Sequence, residues 1–257
     1  MNAEHLGGPR HVTRIEDSVK EALKTLNEKP PASAKDTEKK RYSEQMSGVL
    51  SVSFAEELRR RGMTNTRPAG EGELGRSGAR RRIAGGFFSK QIDVTWTTEE
   101  AGLLLGISIK SINFRDRRTN NFQKNLTNRR GDLAVEALTL HRRFPYAVLA
   151  GFVILDKDAR NDGTSRRNST FDNSFPRLRA FTGRSAPSAP EEQFERLYIM
   201  LVGANRFQST FECYAADSPA RTISLDDAFG DLVSAVLERN FDAYEPNGKD
   251  GLRRIPR

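Results

Sequence analysis

An α/β (α+β) fold, a mixed central sheet flanked by helices, is predicted by three observations. Residues 146–155 form the longest apolar run, about half the length of a membrane span, and read as a buried strand. Residues 90–96 and 103–110 alternate with the period of two expected of paired strands, with a short polar stretch between them. Leu133, Ala137 and Leu140 recur at i, i+4 and i+7, the stripe of a helix packed on a sheet.

The elements follow in order. Residues 1–45 are expected as an N-terminal helical extension and linker: Ile15, Val19, Leu23 and Leu26 have helical spacing, Pro30 and Pro31 end the pattern, and a lysine-rich connector follows. A second helix is predicted over 47–61 from Val49, Val52, Ala55 and Leu58, then a Gly/Arg/Ser-rich loop over 64–86. The two strands make a hairpin about Glu100 and Ala101. After a basic connector come a helix over 132–143 stopped by Pro145, the apolar strand, and a short helix over 176–181. Strands over 194–202 and 209–215 and a helix over 225–241, N-capped by Ser224, complete a main domain of residues 46–245. Residues 246–257 are expected to be a disordered tail.

Composition narrows the chemistry. With 36% hydrophobic and 30% charged residues and no long apolar run, no membrane partner is expected; residues 1–8 lack the basic and apolar segments of a secretion signal, so the expected location is the cytoplasm. Cys213 is the only cysteine, which excludes intrachain disulfides and cysteine zinc sites, and His5, His11 and His141 are scattered. Any metal would be held by oxygen, which favours Mg2+ with Mn2+ as a substitute. The net charge is +8, and residues 59–143 hold 18 Lys/Arg against 8 Asp/Glu. Such local excess points to a polyanion, with Arg80, Arg81, Arg82, Arg115, Arg117, Arg118, Lys124, Arg129 and Arg130 as candidate nucleic-acid contacts.

Folded as a hairpin, the two strands set Asp93 opposite Ser108, with Lys110 one pleat further on the same face. A carboxylate and a lysine at one point suit metal-assisted phosphodiester cleavage, in which carboxylates hold the cation and the lysine orients the attacking water. A second acid is required. Glu136 follows Leu133 by three residues and precedes Leu140 by four, beside the core stripe, where a carboxylate is costly unless it meets a metal or a cation such as Arg129, Arg130 or Lys110. Asp132 reads as a helix N-terminal acid.

The arrangement of Asp93, Ser108-Ile109-Lys110 and Glu136 over residues 47–155 resembles the PD-(D/E)XK, or restriction-endonuclease-like, superfamily. The resemblance implies an αβββαβ core with its first strand near Phe87. In the usual pattern an acid stands two residues before the lysine, where this chain has Ser108; some type II restriction enzymes with Ser-x-Lys recover the acid from the following helix, which would be Glu136. By the resemblance, Asp93, Glu136 and the Ile109 carbonyl hold the metal, Ser108 binds through water, Lys110 positions the nucleophile, and Glu56 or Glu57 is an accessory acid on the first core helix. The implied activity is a Mg2+-dependent DNA endonuclease of restriction or phage-defence type. It would act on double-stranded DNA as a homodimer, with a cognate methyltransferase or defence-system partner. The competing expectations are a catalytically inactive nucleic-acid-binding module that lost its acid at Ser108 and a subunit of a larger DNA-processing complex.

Overall fold

The structure, a computed structural model, describes residues 13–69, 82–204, 207–248 and 250–256. Among the described residues, five α-helices surround a mixed six-stranded sheet in the order β3-β4-β5-β6-β7-β8. Its strands are β3 (Val94–Thr98), β4 (Gly102–Ile112), β5 (Val148–Asp156), β6 (Arg196–Ala204), β7 (Ser209–Ala215) and β8 (Thr222–Ile223). β3 and β4 are antiparallel, β4, β5 and β6 run parallel, and β7 and β8 return antiparallel. Parallel neighbours need crossover connections. The helices α3 (Gln123–His141) and α4 (Thr170–Arg179) lie between the parallel strands in sequence and pack on one face of the sheet. The other face is covered by α1 (Arg14–Lys24), α2 (Asp36–Arg60) and α5 (Leu225–Arg239). Both faces being buried explains why β5 reads as a continuous apolar run rather than an alternating one.

The first helices are part of the domain, which corrects the reading of residues 1–45 as an extension. Ile15, Val19 and Leu23 of α1 are 1%, 0% and 1% exposed and join the same core as α2 and α5. The expected boundary near residue 45 falls inside α2, which starts eleven residues before the predicted 47. Tyr42, Met46, Leu50, Phe54 and Leu58 step through α2 at intervals of four, all buried, and the first turn is stabilised by Asp36 and Glu38, with Glu38 accepting from Lys35 N at 2.9 Å. Phe54 anchors the layer against Phe152 of β5 and Phe229 of α5, with ring centroids 4.8 and 5.1 Å away.

The tail expected to be disordered is a strand. β9 (Tyr244–Pro246) and β10 (Leu252–Arg254) pair antiparallel, Leu252 is 1% exposed, and its N–H donates to Arg61 O at 2.8 Å. Gly62 makes this seat: its φ is +97°, and a Cβ there would lie 1.9 Å from Leu252 O. The first strand expected near Phe87 is instead β1 (Arg82–Ala84), which pairs with β2 (Ser89–Gln91) in a separate hairpin with Phe87 and Phe88 at its turn.

Candidate active site and nucleic-acid interface

The centre forms where β4 outruns β3. The last pair of the ladder is Val94 with Ile107, so among the described residues the edge of β4 from Ser108 to Ile112 has no strand beside it. A buried N–H at such an edge requires another acceptor. The Asp93 side chain supplies it: Ile109 N donates to Asp93 Oδ2 at 2.7 Å. Because the N–H and C=O of one strand residue point to the same side, the Ile109 carbonyl faces the same open edge. Asp93 is 8% exposed and lines, with Ile109 and Lys110, a cleft of about 940 Å3.

Lys110 projects from the other face of β4 to that of Ile107 and Ile109, towards α3. Its ammonium donates to Glu136 Oε2 at 2.9 Å, and the pair is largely desolvated, with side chains 17% and 4% exposed. Glu136 comes from the turn of α3 that buries Leu133, Ala137 and Leu140. Burial pushes its carboxyl above the usual range; Lys110 opposes this, the Asp93 charge adds to it and Lys90 opposes it. Glu136 Oε1 is buried without a hydrogen-bond partner. Ser108 is 2% exposed, sits opposite Gly151 of β5, and by strand alternation shares the face of Lys110. Asp93, Lys110 and Glu136 therefore converge, and of the cations proposed for Glu136 it is Lys110, not Arg129 or Arg130, that pairs with it.

Among the described residues no group of three or more His, Cys, Asp or Glu side chains could hold a metal. Two carboxylates, one with an orphaned buried oxygen, plus a main-chain carbonyl at an open strand edge, are nevertheless an all-oxygen donor set suited to a hard divalent cation.

The cleft runs along β4 between the N-terminal halves of α2 and α3. Its lining contains eight Lys/Arg against four Asp/Glu, so it is cationic. Arg115, Arg117, Arg118, Lys124 and Arg129 line it as expected. The loop bearing them is organised by Asp116, which accepts from Arg118 N, Thr119 N and Thr119 Oγ1 and from Lys124 Nζ at 3.0 Å. The Lys124 bond, followed by that of the Thr119 amide, draws the Asp116 carboxyl down to about 2. Arg117 ties the loop to α2 through Asp36 at 3.1 Å.

Several expected contacts fall elsewhere. Arg130 lies over the Phe181 ring, 5.9 Å from its centroid, and does not line the cleft. Arg82 is exposed on β1, opposite Gln91, which does line the cleft. Arg80 and Arg81 lie outside the described residues. Neither candidate accessory acid reaches the cleft: Glu56 pairs with Arg60 on the surface, and Glu57, side chain 2% exposed, holds Arg14 at 3.2 Å and Arg61 at 2.9 Å. The acids that α2 does bring to the cleft are Asp36 and Glu44, next to Lys39, Lys40, Ser43 and Ser47. The spacing 36, 39/40, 43/44, 47 is one helix face, and that was the available signal.

A second buried carboxylate is structural. Glu195 accepts from Leu149 N at 2.7 Å and meets Arg184 at 3.2 Å, Arg239 at 2.9 Å and His141 Nε2 at 3.3 Å. Burial acts to raise its pKa, but these partners, His141 foremost, hold it below the usual range. His141 is 1% exposed.

No family model, no curated protein and no solved structure matches this chain.

Proposed function

We propose that this chain is a metal-dependent endonuclease of restriction or phage-defence type acting on DNA. The observation that carries the reading is the Lys110–Glu136 contact: an acid from the helix after the hairpin stands beside the lysine and Asp93, while the strand itself carries Ser108 two residues before the lysine. The order α2, β3, β4, α3, β5 is in keeping with the helix, hairpin, helix and strand of a restriction-endonuclease-like αβββαβ core, while the strand expected to open that core lies in the separate β1–β2 hairpin.

In this reading Asp93, Glu136 and the Ile109 carbonyl hold Mg2+, or Mn2+ in its place, with Ser108 binding through water. When bound, the cation polarises the scissile phosphate and makes a neighbouring water more acidic. Asp93 is already oriented by its bond from Ile109 N, and Lys110 is held by Glu136, so neither needs to reorganise. The Lys110 ammonium fixes the attacking water and offsets charge gathering on the phosphate, while the cleft lysines and arginines hold the flanking backbone. Cutting both strands of a duplex calls for two such centres, hence a homodimer, with a methyltransferase or defence-system protein protecting the host.

The test is incubation of plasmid and phage DNA with purified protein and Mg2+, with EDTA, Lys110→Ala and Glu136→Gln controls. Cutting that requires the metal and fails in both variants is the expected result. Cutting that survives either substitution would refute the assignment. A second reading, an inactive DNA-binding module, is favoured by one observation: Lys110 and Glu136 already satisfy each other as an ion pair. It predicts salt-sensitive DNA binding with no cutting by the wild type.

A further inference from the structure

The β1–β2 hairpin carries two aromatic rings that the chemistry above does not use. Its turn, Gly85-Gly86-Phe87-Phe88, lies tight on α3: Gly86 N donates to Thr139 O at 2.8 Å, and a Cβ on Gly85 or Gly86 would come within 2.4 Å of Thr139 or 2.3 Å of Arg142. With the glycines against the helix, the two rings project outward, Phe87 57% and Phe88 47% exposed. Each has a cation near one ring: the Arg142 guanidinium is 5.7 Å from the Phe87 centroid and Lys90 Nζ is 5.0 Å from that of Phe88.

The hairpin is also coupled to the reaction centre. Lys90, over Phe88, is close enough for its charge to act on Glu136. From Phe88 to Asp93 the chain advances five residues, at most about 17 Å. The base of the hairpin ends at Gln91, which lines the cleft.

We propose that Phe87 and Phe88 form a stacking platform for unpaired bases of the nucleic acid in the neighbouring cleft, so that the strand is single or locally opened beside Asp93 and Lys110. The proposal rests on the nucleic-acid reading of the cleft but not on cleavage. Exposed rings accept bases of any sequence, since every base offers a π-face, and adjacent cations meet the phosphates between them. Lys90 and Arg142 beside the rings favour an anionic partner; a second copy packed on this patch by a two-fold axis would bring these cations together. Arg142 retains Glu191 at 3.1 Å, which holds the guanidinium at the patch.

The experiment is fluorescence anisotropy with a labelled single strand of about 15 nucleotides and a duplex of the same length. It is run in EDTA, so that no cutting intervenes, on the wild type, the Phe87→Ala/Phe88→Ala protein and the Phe87→Trp/Phe88→Trp protein. Thermal melting establishes that the variants remain folded. The double alanine protein should bind the single strand about tenfold more weakly or worse, the tryptophan protein should retain the affinity, and duplex binding should change little. Equal losses on both probes, no loss on the single strand, or no single-strand binding by the wild type would overturn the proposal. So would a wild-type dimer, seen by sedimentation, that becomes monomeric in the alanine protein with single-strand binding unchanged; the rings would then serve self-association. Absence of Mg2+-dependent cutting, measured separately, would sink the nuclease reading and leave this binding result standing.

Discussion

Lys110 of β4 and Glu136 of α3 meet at 2.9 Å across the sheet–helix interface, with one Glu136 oxygen bonded and the other buried without a partner. Removing one member of a buried pair strands the other charge, at a cost of about 3–5 kcal/mol. Lys110→Met should therefore destabilise the metal-free protein by about 3 kcal/mol while Glu136 is ionised, and by less as the pH falls, because burial already raises the Glu136 carboxyl and a protonated Glu136 leaves no stranded charge. In a Glu136→Gln background the same substitution should cost under about 1 kcal/mol. Urea denaturation of the four proteins measures the coupling; additive effects would show that the pair does not interact.

Asp116 is the anion around which the basic loop is wound. Its carboxyl is drawn from 3.8 down to about 2, first by Lys124 and then by the Thr119 amide. A depressed carboxylate favours the folded loop above its ordinary pKa, and that contribution fades as the pH falls through about 2. Carbon-detected NMR titration should find the Asp116 midpoint near 2, with the Arg118 and Thr119 amides moving in step. Lys124→Ala should move the midpoint back towards 3.8. A midpoint unaffected by Lys124→Ala would assign the shift to the backbone amides instead.

The hairpin was legible because its physics is local. Alternation and a short polar turn set Asp93 opposite Ser108, and the observed ladder, ending at Val94 with Ile107, is in that register. Glu136 was legible because a carboxylate beside Leu133, Ala137 and Leu140 needs a partner. The first half of α2 was hidden by its own charge: residues 35–41 read as a linker, and only Tyr42 and Met46 mark the buried face. Glu44 was lost with that half-helix. Glu57 entered as a candidate acid through the family resemblance alone, and its partner Arg14, 43 residues away, is not visible in the local sequence. His141 is buried for a similar reason, its partner Glu195 coming from just before β6.

The α2 acids should separate by function. Glu57→Gln breaks a buried pair with Arg61 and should cost about 3 kcal/mol. Glu56→Gln touches only a surface pair and should stay within about 0.5 kcal/mol. Glu44→Gln should leave stability within the same range while lowering metal-dependent cutting, because Glu44 faces the cleft. Thermal melts beside cleavage rates decide it; full activity in Glu44→Gln would remove Glu44 from the acid chemistry.

Arg118 and Lys124 both line the cleft, but their loss should differ in kind. Each bound phosphate contributes about 0.7 to 0.9 to the slope of log affinity against log salt. Arg118→Ala should lower that slope by roughly one contact and weaken binding evenly across sequences. Lys124→Ala removes a comparable contact and also strips Asp116 of its ammonium, leaving a carboxylate with no cation bound to it beside the phosphates. Its affinity at low salt should therefore fall further than that of Arg118→Ala. Adding Asp116→Asn removes the anion, so the double variant Lys124→Ala/Asp116→Asn should recover the excess loss, despite the loosened loop, and match Arg118→Ala. A double variant weaker than Lys124→Ala alone would mean that Asp116 acts on binding by shaping the loop, and that the order it imposes outweighs the repulsion it exerts.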